Sequence, residues 1–275
     1  NTKQTYKNSM AFQIINSIIS WFLKKRIHQI ELFTKYPNDV QEELLLRLIN
    51  TAKNTEFGIE KEFTAIHKYT DFRKKVPIQQ YETFEPLIER CRKGTQNLFW
   101  PTPIKWFAKS SGTTNAKSKF IPVSNDALEY CHLKAGKDML CLYIHNNPKT
   151  QLFTGKGLRL GGSSEVYQDN GSHFGDLSAI ITENLPFWAD LSSAPSQQVA
   201  LMAEWETKME AIVNETINEN ITSLVGVPSW MLVLLNRVLE KTGKENILEV
   251  WPNLEVYFHG GVNFNPYREQ YKKLI

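Results

Sequence analysis

"ITSLVGVPSWMLVLLNRVLEK", residues 221–241, carries the decision on fold class. Ile221–Val227 is a short apolar run of the kind that forms a strand buried on both faces. Pro228 then marks a turn. From Ser229 onward the chain is apolar almost all round, which predicts a deeply buried helix, and Gly243 reads as its stop signal. "NLEVYFHGG" (253–261) reads as the next core strand, ending in paired glycines. Strand, helix and strand in that order predict an α/β fold whose sheets are largely parallel and flanked by helices.

Working outward, "NDVQEELLLRLINTAKN" (38–54) predicts a helix with Asp39 as N-cap and Glu42 at capping-box spacing. Its buried stripe would be Val40, Leu44, Leu45, Leu48 and Ile49. "TEFGIEKEF" turns the chain, "YETFEPLIERCRKG" (81–94) reads as a short helix ended by Gly94, and "PIKWFAKS" (103–110) reads as a strand. "KFIPVS" (119–124) is extended, because Pro122 forbids a helix through it. Ser124 is placed to cap the helix "NDALEYCHLKAGKDMLCLYI", with Ala127, Cys131, Ala135 and Leu142 among its apolar positions. Residues 154–176 are rich in Gly, Ser, Asp and Asn and predict loops around short strands. A long helix is predicted from Ser196, carrying Val199, Met202, Met209, Ile212 and Val213 inward.

Composition narrows the function classes. The 275 residues are 41% hydrophobic and 22% charged, ordinary for a globular protein with a sizeable core. A formal charge of +3, spread over scattered lysines and arginines, argues against nucleic acid as a partner. The three cysteines form no CxxC pair and the six histidines no ligand spacing, so reduced thiols in the cytoplasm are the simplest reading. "AFQIINSIISWFL" (11–23) is too short to span a bilayer, and its basic residues Lys24, Lys25 and Arg26 follow the apolar run. Phe12, Ile15, Ile19, Phe22 and Ile30 are helically spaced. The preferred reading is an amphipathic helix packed on its own domain, with membrane-surface attachment the alternative and no stable insertion.

Between the two predicted strands lies "SSGTTNAKSKFIP" (110–122). A Walker A loop would need a second glycine before the lysine and a helix after it; both are missing, and no G-x-G-x-x-G fingerprint occurs. One reading is a solvated turn, since Ser, Gly, Thr and Asn are turn-formers. The other is an anion cradle: successive N–H groups and the hydroxyls of Ser110, Ser111, Thr113 and Thr114 can wrap a phosphate. Lys117 and Lys119 alternate, so in an extended segment only one need face it.

This stretch resembles the phosphate-binding motif of the adenylate-forming superfamily, shared by acyl-CoA synthetases and luciferase. Its ending, K-x-I-P, is closer to the auxin-responsive promoter family of acyl-amido synthetases. "TEFG" (55–58), "DFRKKVPI" (71–78), "YETFEPLIER" (81–90), "GVPSWMLVLL" (226–235) and "FHGGV" (258–262) resemble further segments of that family in the same order. The resemblance implies an N-terminal adenylation domain, with residues 1–54 a helical lead-in and 55–275 the α/β part that binds nucleotide and acyl group. It implies Lys119 as catalytic lysine, with Ser110, Ser111, Gly112, Thr113 and Thr114 as the ATP-phosphate cradle. Gly260 and Gly261 would stand beside the adenylate, and Val227, Trp230 and Met231 would line the acyl pocket. The paired glycines can also be a plain tight turn, Trp230 and Met231 plain core, and His259 a structural histidine. The implied reaction consumes ATP with magnesium and joins a carboxylic acid to an amine, an amino acid above all; a thioester-forming ligase or a non-catalytic nucleotide binder are the alternatives. Ala116 stands where the family often has glycine. The family's Y-x-x-S-E magnesium motif and ribose-binding aspartate are not among the 275 residues, so no metal ligand is expected within them. With "NPYREQYKKLI" ending inside a predicted helix, they are expected to be part of a longer protein.

Overall fold

In the computed structural model, residues 16–21, 23–110, 118–161 and 166–275 are described. Among them are eight strands: β1 (Trp106–Ser110), β2 (Lys119–Val123), β3 (Lys156–Leu160), β4 (Tyr167–Asp169), β5 (Ser172–Gly175), β6 (Ser193–Ala194), β7 (Ile221–Gly226) and β8 (Val256–His259). They form two sheets, ordered β2-β1-β5-β4 and β6-β3-β7-β8. The chain folds into two compact units, one of Arg26–Met139 with Val166–Ile180 and the other of Asn1–Lys25, Leu140–Glu165 and Ile181–Ile275.

The second unit contains the wholly parallel sheet. β3 pairs with both β6 and β7, and β7 with β8, each time parallel. Parallel neighbours need a crossover, and Pro228–Thr242 is the one between β7 and β8. That helix starts with Pro228 at its first position and stops at Gly243, whose φ of 68° is left-handed. Met231, Leu234, Leu235 and Val238 are fully buried against Leu158, Ile221 and Leu224 of the sheet. Burial of that kind contributes about 1.5–3 kcal/mol per large apolar side chain. The helix is less enclosed than its composition predicts, since Trp230 and Val233 face outward at 39% and 41% exposure. β8 likewise is a half-buried edge strand rather than a core strand.

The predicted long helix from Ser196 is two helices, Gln197–Ala200 and Trp205–Thr216. Its inward residues are as predicted, but Glu204 breaks the run by accepting hydrogen bonds from the Glu206 and Thr207 N–H groups and capping a new helix. Asn16 is buried and fixes the loop after residue 149, its amide donating to Thr150 O and accepting from the Phe153 N–H. Phe12, Ile15 and Phe22 of the predicted N-terminal stripe lie outside the described residues.

The first unit holds the mixed sheet. β1 and β2 are antiparallel, β1 and β5 parallel, and β5 and β4 an antiparallel hairpin turning at Asn170–Gly171. Phe107 and Phe174, adjacent in register and stacked at 5.3 Å, centre a core with Cys91, Leu98 and Ile104. Asp39 is not an N-cap: the helix begins two residues earlier, at Pro37, because proline's fixed φ suits the first helical position, where an N–H has no partner within the helix. Asp39 then lies in the first turn, where a carboxylate suits the helix dipole. Leu44 and Leu48 of the predicted stripe are exposed, and only Ile49 and Ala52 are buried. The TEFG stretch packs against this helix end. Thr55 Oγ1 donates to Ala52 O and accepts from the Gly58 N–H, while a Cβ on Gly58 would stand 2.1 Å from Ala52 O.

Ser124 caps the next helix through the Ala127 N–H, as predicted. A π-helical turn at Leu128–Leu133 then shifts the phase of everything after it. Cys131, Ala135 and Leu142 are consequently exposed, while Leu128, Cys141 and Ile144 are buried.

Candidate functional site

The sequence-predicted site residues fall in two groups, one in each unit. In the first unit β1 and β2 form a hairpin in which Ser110 pairs in register with Lys119, so both stand at the mouth of the loop. Ser111, Gly112, Thr113, Thr114 and Lys117 lie outside the described residues. Strand alternation puts Phe120 into the core with Phe107 and Phe174 and leaves Lys119 half-exposed.

Lys119 does not stand free. Its Nζ is 3.0 Å from Glu82 Oε1 and 4.9 Å from the centre of the Tyr81 ring. Both partners open the helix Tyr81–Arg92. The Tyr81 hydroxyl accepts from the Phe120 N–H (3.0 Å) and donates to the Phe120 C=O (3.2 Å), so one side chain satisfies both main-chain groups of an edge-strand residue. Hydrogen bonding from its own N–H, and then from Lys119, holds the Glu82 carboxyl below the ordinary range. Tyr81 and Glu82 are legible in the sequence as a helix start; no sequence signal points to their contact with a strand 39 residues away.

In the second unit, Val227 follows β7 and Gly260–Gly261 follow β8, at the carboxyl ends of paired parallel strands, where Gly226 is opposite His259. Open α/β sheets usually bind ligands at such ends. Gly261 has φ of +83°, which favours glycine, and a Cβ there would lie 3.2 Å from Val227 Cγ2, so the two turns touch and a larger residue would crowd Val227. Trp230 is partly exposed and meets Trp205 edge-on at 5.7 Å. Met231 is fully buried in the core. His259 is exposed and stacks on Phe264 at 4.5 Å. Arg159, near the end of β3, pairs with Asp190 at 3.4 Å, and burial pushes its guanidinium below its ordinary pKa despite that partner.

Two grooves stand apart from both groups. One groove of about 420 Å³ runs between the helices Trp205–Thr216 and Pro228–Thr242, lined by Glu206, Glu210, Arg237, Glu240 and Lys241. Another, of about 330 Å³, is lined by Ile49, Phe63, Ile66 and His67. Neither includes a predicted site residue. Among the described residues no three His, Cys, Asp or Glu side chains could hold a metal ion together, and no helix is long and apolar enough to cross a membrane.

Comparison with known proteins gives the fold and the family of the chain. The GH3.15 acyl acid amido synthetase structure superposes with a TM-score of 0.72 over 91% of this chain and 54% of that one, at 16% identity, which shows the shared fold. Indole-3-acetic acid-amido synthetase GH3.2 of Arabidopsis thaliana is 30% identical over 106 residues, covering 38% of this chain and 19% of that protein. Jasmonoyl–L-amino acid synthetase JAR4 of Nicotiana attenuata is 25% identical over 146 residues, covering 53% and 25%. The chain thus spans about half the length of the solved relative, and its aligned stretches a quarter or less of the two plant enzymes. The family model for the GH3 N-terminal domain matches residues 26–275, and the chain belongs to the GH3 family.

Proposed function

We propose that this chain is part of a cytoplasmic, ATP-dependent ligase that activates a carboxylic acid as its adenylate and passes the acyl group to an amine, most simply an amino acid. The observation that carries the reading is the hairpin with Ser110 and Lys119 paired at its mouth, in a chain of the GH3 family. The matched relatives are named amido synthetases, which favours an amide over a thioester product.

The chemistry follows from what a carboxylate lacks. It cannot expel oxide, so its oxygen attacks the α-phosphorus of ATP, an acyl–O–P bond forms and pyrophosphate leaves. The amine then attacks the acyl carbon, AMP departs, and the amine loses a proton. Negative charge grows on the phosphoryl oxygens in the first step, and a positioned ammonium stabilises it. Lys119 is assigned that role, with Ser110, Ser111, Gly112, Thr113 and Thr114 donating to the phosphates. Gly260 and Gly261 allow the adenylate to approach the main chain. Val227 and Trp230 offer apolar surface to the acyl group, with Met231 behind them. Magnesium is assigned to ATP's phosphates in the reaction. Among the described residues it finds no carboxylate cluster, and Glu82 is engaged by Lys119.

Exchange of labelled pyrophosphate into ATP tests the first half-reaction, using acids such as indole-3-acetate and jasmonate. Lys119→Ala is expected to lower exchange about a hundredfold or more, the cost of one lost charge contact in such a site. Lys117→Ala is expected to do much less. A Lys119→Ala variant that exchanges at the wild-type rate refutes the assignment.

A further inference from the structure

Tyr81 and Glu82 belong to a helix for which the reaction above has no use, yet they hold the residue on which it most depends. Lys119 is the first residue of an edge strand, and such positions fray, because nothing pairs with their outer side. Here the outer side of the next residue, Phe120, is closed by two hydrogen bonds to one hydroxyl. The same ring lies under the Lys119 ammonium, a cation–π arrangement, and Glu82 supplies a counter-ion on the adjoining residue. Phe120 is also pinned from the core side, since the Arg92 guanidinium, one helix end away, stacks on its ring at 3.9 Å. The helix Tyr81–Arg92 therefore grips β2 at both its main chain and its side chain. The ion pair alone is too exposed to be worth much. The hydroxyl clamp is different in kind, because it fixes where the strand begins.

We propose that Tyr81 is a positioning residue for Lys119: by clamping the main chain of Phe120 it sets the direction in which the Lys119 ammonium leaves the strand, with Glu82 as the counter-ion held until a phosphate takes its place. This rests on the assignment of Lys119 to ATP's phosphates. Tyr81 makes no contact with ATP in this scheme and acts only through Lys119.

That indirectness makes it testable. Binding of ATP with magnesium is measured by calorimetry on the full-length protein, for wild type, Tyr81→Phe, Lys119→Ala and the double variant, alongside melting temperatures. Tyr81→Phe keeps the ring and removes the clamp, so it is expected to weaken binding about three- to tenfold, as loss of one or two hydrogen bonds does. In the Lys119→Ala background the same change is expected to have almost no effect, because the group it positions is gone. A merely structural tyrosine would weaken binding by the same factor in both backgrounds, and that result overturns the positioning role while leaving the phosphate role of Lys119 intact. Wild-type affinity in Tyr81→Phe also overturns it. Unchanged binding in Lys119→Ala also overturns the positioning role, since there is then no ground-state contact for Tyr81 to set, while the role of Lys119 in the reaction is decided separately by pyrophosphate exchange.

Discussion

Two helices with the same opening fare differently. Pro37–Ala52 and Pro228–Thr242 each begin with proline, run 16 and 15 residues, and carry leucine-rich stripes. In the second, Met231, Leu234, Leu235 and Val238 are all fully buried. In the first, Leu44 and Leu48 remain 42% and 44% exposed and only the C-terminal Ile49 and Ala52 are covered. The difference lies in what stands behind them. Pro228–Thr242 packs on a parallel sheet and on the helix Trp205–Thr216, whereas Pro37–Ala52 meets Phe63 and Ile66 at one end. Periodicity reports that a helix can bury a face; neighbours decide how much of it is buried.

The sharpest way to break this comparison is to delete the same side chain from both. Leu235→Ala removes a fully enclosed leucine and is expected to cost about 2–5 kcal/mol in denaturant unfolding. Leu48→Ala is expected to change stability by less than about 0.5 kcal/mol. Similar losses at the two positions would show that the first helix is covered in solution after all.

Next in size is the one place where the first helix is tightly met. Gly58→Ala puts a methyl group 2.1 Å from Ala52 O, a backbone atom with little freedom to move. Overpacking of this kind costs about 1–3 kcal/mol. An unchanged unfolding midpoint would mean that the turn at Thr55 is not held against the helix end.

What is legible in the sequence follows the same division. The strand–turn–helix order of Ile221–Thr242, the extended segments on either side of residues 111–118 and the Ser124 cap are as the sequence predicts, because each depends on residues close along the chain; the antiparallel pairing of those segments and the partial exposure of Pro228–Thr242 are not. Sequence and structure part where a local rule competes with another local device or with a distant partner. Pro37 overrides Asp39, Glu204 splits a periodic run, and the π-turn at Leu128–Leu133 rotates an apolar stripe. Of the candidate site, Lys119 and the glycine pair can be picked out by motif, but the clamp by Tyr81 cannot, since nothing in "YETF" encodes which strand it meets. A capping box predicted at Asp39–Glu42 is found instead at Asn246–Glu249, where the Glu249 carboxylate accepts from the Asn246 N–H and Asn246 Oδ1 accepts from the Leu248 N–H.

A smaller effect is expected at a buried polar contact in the better-covered unit. Trp251 is 1% exposed and its indole N–H donates to Thr216 O at 3.0 Å, tying the strand-entry segment to the end of Trp205–Thr216. Trp251→Phe removes one of the two donors to that carbonyl, which the Glu219 N–H still serves at 3.0 Å, for an expected loss of about 1 kcal/mol from the hydrogen bond, beyond any packing loss. A variant more stable than wild type would mean that the sheet side of the unit tolerates repacking more freely than its burial suggests.

The smallest predicted effect is pH-dependent and concerns Glu204, the residue that ends the predicted long helix. Hydrogen bonds from Thr207, and then from the Glu206 N–H, favour its charged form and hold its pKa below the ordinary 4.5. A carboxyl whose folded pKa is depressed contributes stability above its unfolded value and loses it as pH falls through the folded one. Glu204→Ala should therefore melt below wild type at neutral pH, and the gap should close as the pH is lowered from about 6 toward about 3. Comparing the two proteins isolates this carboxyl from Glu56, Glu62 and Glu82, whose pKa values are also lowered and which titrate alike in both. Because Glu204 is on the surface, the gap should be modest, but it should be insensitive to salt, since its donors are main-chain amides and a hydroxyl rather than a cation. A gap that persists in acid would assign the capping role to the shape of the side chain and not to its charge.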